Sequence, residues 1–266
     1  MNAAIDKKQT RRAFSRHSGG GDLFDTIAER LASRLDELAV QSDFIADIGG
    51  NGEYLAKKFT TAKVAAVDFA LPAVRGTNPD IFRIQGDAEH LPLASESADI
   101  AWSNLCLSWT DIQIALTEAA RILRPKSGLL IFSTLGRDTL HEARTILGDN
   151  RVHSFLDMHD IGDMLGTAGF LEPVLETEHL SLSYASAAAA MRETRAFGGG
   201  NMLTTRPRNF LGKTKWQNAL ADYENRFTDE DGRTRVTLEI IYAVTWRKAA
   251  GEEYAQERII RFSERP

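Results

Sequence analysis

The stretch Phe44-Ile45-Ala46-Asp47-Ile48-Gly49-Gly50-Asn51-Gly52-Glu53 joins a strand-like run to a glycine-rich turn. An apolar run ends at an acid, meets glycines, and passes at once into Tyr54-Leu55-Ala56-Lys57-Lys58-Phe59. That order reads as buried strand, tight turn, helix. Glycine suits the turn because it accepts positive φ and because a side chain there would block a ligand. In an open α/β sheet, ligands sit beyond the carboxyl ends of the strands. The next apolar run, Val64-Ala65-Ala66-Val67, ends at Asp68. The acid follows the first strand end by about 20 residues, the spacing of one that accepts hydrogen bonds from ribose hydroxyls.

Working outward, Phe82–Gln85, Ile100–Ser103 and Gly128–Ser133 read as further strands, and Leu116, Ala119, Ala120 and Leu123 mark a helical face between the last two. Asp87 follows the third strand, where a carboxylate would meet an adenine amino group; the competing role is a loop acid or helix cap. Phe69-Ala70-Leu71-Pro72 reads as a break followed by a short helix. Upstream, Leu23, Ile27, Leu31, Leu35 and Leu38 recur at helical spacing. Residues 1–22, with Gly19-Gly20-Gly21, read as a flexible segment placed to fold over a ligand. Strands alternating with helices predict a parallel sheet.

The second half changes character. Asp160–Ala168 reads as a helix closed by Gly169, and Glu178–Tyr184 as a strand. Helices follow at Ala185–Ala196 and Trp216–Phe227, separated by Gly198-Gly199-Gly200 and the basic loop Arg206-Pro207-Arg208-Asn209. Val236–Trp246, rich in β-branched and aromatic residues, is the final strand. The expectation is one domain over 23–248, with a helical insertion at 185–235 between two closing strands and a charged tail at 249–266.

Composition narrows the function classes. The chain has 266 residues, 43% hydrophobic and 26% charged, as expected of a globular protein. A net charge of −5 argues against a nucleic-acid footprint. No apolar run approaches the roughly 20 residues of a membrane span. Cys106 is the single cysteine, so an intrachain disulfide and a cysteine-based metal cluster are excluded. The polar, mixed-charge N-terminus lacks a secretory core, and a reducing cytoplasmic compartment is the expectation. Nucleoside binding remains open between a dinucleotide and S-adenosylmethionine.

The motifs then favour one of these. Asp47-Ile48-Gly49-Gly50-Asn51-Gly52, Asp68, Gly86-Asp87-Ala88-Glu89-His90-Leu91-Pro92 and Arg121-Ile122-Leu123-Arg124-Pro125 resemble the successive motifs of class I S-adenosylmethionine-dependent methyltransferases. Trp102-Ser103-Asn104-Leu105-Cys106-Leu107-Ser108-Trp109, Phe132-Ser133-Thr134-Leu135-Gly136 with Thr139-Leu140, and Phe155-Leu156-Asp157-Met158-His159-Asp160-Ile161-Gly162 resemble, more narrowly, the malonyl-acyl-carrier-protein O-methyltransferases of biotin synthesis. The likeness continues through Gly212 and Trp216 to Glu239-Ile240-Ile241-Tyr242-Ala243 and covers about residues 25–248. A mitochondrial complex I assembly factor shares many of these segments, which leaves a degenerate, non-enzymatic interaction factor as the rival reading. The resemblance implies a Rossmann-like seven-stranded sheet, mostly parallel with an antiparallel closing strand, and a helical insertion over the site. It implies S-adenosylmethionine as cofactor, S-adenosylhomocysteine as product, and an acyl carrier protein or other acidic protein as partner.

The cofactor residues implied are Asp47, Gly49, Gly50, Gly52, Asp68, Phe69, Asp87, Ala88, Asn104 and Leu105. Three positions depart from the family pattern. Aligned without a gap, Asn51 and Glu53 replace its second and third glycines, and Glu53 would carry a carboxylate to the methionine end of the cofactor. Ser154 stands where the narrower family often has an arginine. Gly20-Gly21 falls near a tyrosine often found over the active site.

Methyl transfer from a sulfonium to a carboxylate needs no general base, because the acceptor is ionised near neutral pH. The protein's task is to position the reactants and exclude water. No catalytic side chain and no metal ligand set is therefore assigned. The six histidines are scattered and read as surface or capping residues. On the acceptor side, Trp109, Phe155 and Met158 are candidates for the pocket wall, with core packing the alternative. Arg206 and Arg208, with Lys213 nearby, are candidates for an anionic acceptor or an acidic carrier, with a solvated loop the alternative.

Overall fold

The computed structural model describes residues 4–15, 21–38, 40, 42–76, 78–196 and 200–249. His17, Gly19, Gly20, Gly198, Gly199 and the tail beyond Ala249 lie outside these residues.

The strands are β1 Phe44–Ile48, β2 Lys63–Asp68, β3 Ile81–Gln85, β4 Ile100–Asn104, β5 Leu129–Leu135, β6 Phe170–Tyr184 and β7 Thr234–Arg247. They form one seven-stranded sheet in the order β3-β2-β1-β4-β5-β7-β6. The first five are parallel, and β7 runs antiparallel to both β5 and β6. The order reverses between β1 and β4, and their carboxyl ends open a crevice there.

The period-two alternation of the central strands distributes their side chains between two cores. On one face Ile45, Val64, Ile100 and Leu129 pack against Ile27, Leu31 and Leu35 of α2 (Asp22–Leu38). On the other, Ala46, Val67, Ala101 and Leu130 meet Leu116 and Ala119 of α4 (Ile112–Ile122), with Ile161 and Leu165 of α6 (Met158–Ala168) completing the layer. Covered on both faces, β1 and β2 consist almost wholly of buried apolar residues. Asp111 caps α4 and Asp157 caps α6 with side-chain oxygens, and α6 stops at Gly169.

Several elements differ from the sequence reading. Within the segment expected to be flexible, Lys7–Phe14 form helix α1, capped by Asp6. The short helix expected after Pro72 is a run of turns. β6 starts at Phe170, eight residues before the expected Glu178, and passes Pro173 through an irregular register between Leu171 and Val174. Proline is tolerated there because β6 is the sheet edge. A further helix, α5 (His141–Leu147), was not anticipated.

Between β6 and β7 stand α7 (Ala187–Ala196) and α8 (Lys213–Phe227). Ala187, Ala190, Met202 and Tyr223 bury into the same core as α2. Tyr223 donates its hydroxyl to the Arg235 carbonyl at 2.9 Å, tying α8 to the start of β7. The two helices thus pack on the extension of β6 and β7 and on α5.

Candidate active site

A cavity of about 340 Å³ opens at the carboxyl edge of the sheet. Its lining includes Asp47, Gly49, Gly50, Asn51, Asp68, Phe69, Asp87, Ala88, Asn104, Leu105 and Trp109. Every cofactor candidate except Gly52 therefore meets in one place.

Backbone geometry explains the glycines. Gly49 has φ +79°, and a Cβ there would lie 2.2 Å from Cys106 Cβ. A Cβ on Gly50 would lie 2.2 Å from the Asp47 carboxylate. The loop therefore lies flat against β1 and β4 and leaves the strand ends open. Gly52 stands one step behind. It precedes α3 (Glu53–Lys58) at φ +77°, and its N–H donates to Asp47 Oδ2 at 2.8 Å. Asp47 thus pins the loop while facing the cavity. Burial pushes its carboxyl up to about 7, against the Gly52 hydrogen bond and with the charge of Asp68 adding to the rise.

Asp68 ends β2 and accepts the Ala70 N–H at 2.6 Å through Oδ1. Burial raises its carboxyl to about 6, with that hydrogen bond opposing. Burial also raises Asp87, but bonds from Lys7 and the Glu89 N–H outweigh it and hold the carboxyl below its ordinary value. Lys7 lies 2.7 Å from both Asp87 Oδ2 and Glu89 Oε2. On the far wall Ser133 Oγ donates to Asn104 Oδ1 at 2.7 Å, and Asn104 Nδ2 donates to the Phe24 carbonyl at 3.0 Å. Leu105 holds φ +58°, a left-handed conformation that a leucine rarely adopts, with its N–H donated to the Ser133 carbonyl at 3.0 Å.

The roof is α1 and the first turns of α2. Lys7, Thr10, Phe14, Phe24, Asp25 and Ala28 all face the cavity. Phe14 packs 5.8 Å from the Trp109 ring and 6.3 Å from the Phe69 ring. The helix is short and polar, so this cover left only weak local signals: Asp6 as a cap and Phe14 as an apolar anchor.

A second cavity of about 310 Å³ lies beyond Trp109, and Thr110 lines both. Phe155, Ser154, His153, Ser108, Thr134, Leu203 and Ile5 are among its walls. His153, 1% exposed, sits 4.9 Å from the rings of both Trp109 and Phe155 and accepts the Met202 N–H at Nδ1. Burial drives its imidazole down to about 4, so it is neutral at physiological pH. From sequence His153 reads with the other histidines, because Trp109, which packs on its ring, lies far off in the chain.

Other expectations are corrected here. Glu53 turns away from the cavity to Arg83 on β3, at 2.6 Å, and brings no carboxylate to the ligand side. Asn51 accepts the Glu53 N–H at 3.0 Å and so stabilises the turn. Met158 packs into the core at the start of α6 and lines neither cavity. Arg206 donates to Asp6 Oδ2 at 2.9 Å and to the Leu203 carbonyl at 2.8 Å, and Arg208 is exposed; neither reaches a cavity wall. Of residues 185–235, Leu203 alone lines either cavity among the described residues. The insertion braces α1 rather than roofing the first cavity itself: Ile5 pairs with Leu203, and the Asp6 N–H donates to the Met202 carbonyl at 2.7 Å.

Comparison with known proteins agrees with this geometry. The family described as a methyltransferase domain matches residues 46–132. The malonyl-[acyl-carrier protein] O-methyltransferase of Gallionella capsiferriformans is 36% identical, covering 92% of each chain. The Coxiella burnetii enzyme of the same name, numbered 1, is 34% identical over 93% of this chain and 91% of its own. Among solved structures, the Bacillus subtilis YcgJ protein superposes with a TM-score of 0.58 at 14% identity, covering 83% of this chain and 99% of that one. The [4+2]-cyclase SpnF superposes at 0.53 with 15% identity, covering 94% and 99%. These structural likenesses establish the fold alone. Among the described residues no helix is long and apolar enough to cross a membrane. The sequence relationship over more than nine-tenths of both chains carries the assignment: this chain belongs to the malonyl-[acyl-carrier protein] O-methyltransferase family.

Proposed function

We propose that this protein transfers the methyl group of S-adenosylmethionine to the free carboxylate of a malonyl group carried on an acyl carrier protein, in the cytoplasm, leaving S-adenosylhomocysteine. The observation that carries the reading is the 36% identity extending over 92% of both chains. The lining of the first cavity supports the cofactor reading. Gly49 and Gly50 leave backbone open at the strand ends, and two carboxylates, Asp68 and Asp87, stand along one wall. When bound there, S-adenosylmethionine supplies an electrophilic methyl group on a sulfonium.

The chain's own residues then bind and orient. Asp68 accepts from the ribose hydroxyls with the oxygen that Ala70 leaves free. Asp87, kept ionised by Lys7, takes the adenine amino group, while Phe69 and Ala88 flank the base. Asp47 holds the glycine loop, with Gly52 as its backbone anchor. Asn104 and Leu105 close the methionine side. Trp109 forms the partition, and Phe155 the wall of the acceptor chamber beyond it.

That chamber has hydroxyls at Ser108 and Thr134, bonded to each other, a neutral imidazole at His153 and the Asp111 carboxylate, with no lysine or arginine among its walls. A carboxylate entering it meets no fixed cation of the protein. It is thereby left weakly solvated and nucleophilic, with the donor's own positive charge as its counter-ion. Deprotonation is complete before binding, so no residue need act as base. Incubating the protein with malonyl-carrier protein and methyl-labelled S-adenosylmethionine tests the reading. Label should appear on the carrier and leave with the acyl group when hydroxylamine cleaves the thioester; label confined to the unreacted donor would refute it.

A further inference from the structure

The segment from Gly200 to Trp216 carries Arg206, Arg208, Lys213 and Lys215 without an Asp or Glu, in a chain whose net charge is −5. Arg206 is engaged by Asp6. Arg208, Lys213 and Lys215 are exposed, and none forms an ion pair with a described carboxylate. Among them stands Phe210, 98% exposed, the most exposed large hydrophobic side chain among the described residues. An aromatic ring held in water between cations is the composition of an interface anchor with a charged rim.

The patch is also held in place. Arg151 donates to the Asn209 carbonyl at 3.3 Å and to Asn209 Oδ1 at 3.2 Å. Asn201 donates to the carbonyls of Asn150 and Val152. These bonds lay the 201–209 segment along 150–153, and Leu203 and His153, with the adjacent Ser154, line the second cavity.

We propose that Phe210, with Arg208, Lys213, Lys215 and Arg151 around it, is the docking surface for the acidic carrier protein, set beside the chamber that receives the acyl group. The inference rests on the acceptor reading above. Phe210 supplies the desolvated contact, and the surrounding cations set orientation and encounter rate against an acidic partner face. Arg206 serves a different end, bracing the loop to Asp6.

Steady-state methylation of two acceptors separates the alternatives: malonyl-carrier protein and malonyl-coenzyme A, which carries the same thioester without the protein. Phe210→Ala and, separately, Arg208→Glu with Lys213→Glu should each raise KM for the carrier-linked substrate about tenfold. Both should leave KM for malonyl-coenzyme A and the affinity for S-adenosylhomocysteine at wild-type values, which also establishes that the variants are folded. Raising salt should narrow the gap between the charge variant and wild type and leave the Phe210→Ala gap largely intact. Unchanged carrier KM in both variants would overturn the docking surface while leaving the methyltransferase reading in place. A wild-type protein that methylates neither acceptor would remove the acceptor reading and this surface with it.

Discussion

Replacing Asp68 with asparagine should move two measurable quantities in opposite directions. Asp68 accepts the Ala70 N–H through Oδ1 and lines the cavity. In the proposed complex it accepts from ribose hydroxyls. Bonds to an ionised group contribute about 1.5–3 kcal/mol, so Asp68→Asn should weaken S-adenosylhomocysteine binding by about 10- to 150-fold. Burial raises the carboxyl to about 6 in the free protein, above its unfolded value of 3.8. An acid whose folded pKa is raised adds to stability fully below its unfolded pKa, and that contribution is lost as pH rises through the folded value. At pH 8 the ionised group therefore destabilises the free protein. A rise of about two pKa units corresponds to at most about 3 kcal/mol, discounted to about 1–2 kcal/mol because Asp68 is only partly buried. Asp68→Asn should thus raise the melting temperature of the ligand-free protein at pH 8 while lowering its affinity. Affinity of the wild type should also fall about tenfold from pH 8 to pH 5, as a group titrating near 6 becomes protonated, and the variant should lose that part of the dependence. Calorimetric titration and thermal unfolding at the two pH values measure both quantities. Wild-type affinity in the folded variant, or a lower melting temperature with normal affinity, would refute the assignment.

Gly50→Ala should reduce cofactor affinity at least tenfold, because its Cβ would lie 2.2 Å from the Asp47 carboxylate and displace either the loop or the acid; calorimetric titration reads this directly. Glu53→Ala should leave affinity unchanged, since Glu53 faces Arg83 rather than the cavity; a loss above threefold by the same titration would restore the sequence expectation. Lys7→Ala should release α1 from Asp87 and leave the buried Glu89 carboxylate without its cation, and so speed S-adenosylhomocysteine dissociation about tenfold or more in stopped flow, a charge-assisted bond being worth about 1.5–3 kcal/mol. His153 has a folded pKa depressed to about 4, so its contribution to stability is present above about 6.5 and lost as pH falls toward 4. Denaturant titrations should show that decline, about 2–3 kcal/mol, diminished in His153→Gln relative to wild type.

What was legible in the sequence was whatever local pattern dictates. The apolar run of β1, the acid that ends it and the glycines behind it are neighbours in the chain, so strand, turn and cavity floor could be read together. Asp68 and Asp87 were readable for the same reason: each closes or follows a short apolar strand. The misreadings share another cause. Helix α1 buries only Thr10 fully and is held by Asp87, Glu89 and Met202, residues that no local window contains. Glu53 is directed by Arg83, and Arg206 by Asp6, across 30 and 200 residues respectively. The first half of β6 was obscured by Pro173 and by the mixed exposure of an edge strand. His153 is set apart from the other histidines by Trp109, which packs on its ring from a distant part of the chain.

The most direct test of the central claim is intact-mass analysis of malonyl-carrier protein after incubation with the purified protein and S-adenosylmethionine. The carrier should gain the mass of one methyl group in place of a proton, the gain should leave with the acyl group when hydroxylamine cleaves the thioester, and an unacylated carrier should gain nothing. A carrier that keeps its original mass while the same protein preparation binds S-adenosylhomocysteine would contradict the account.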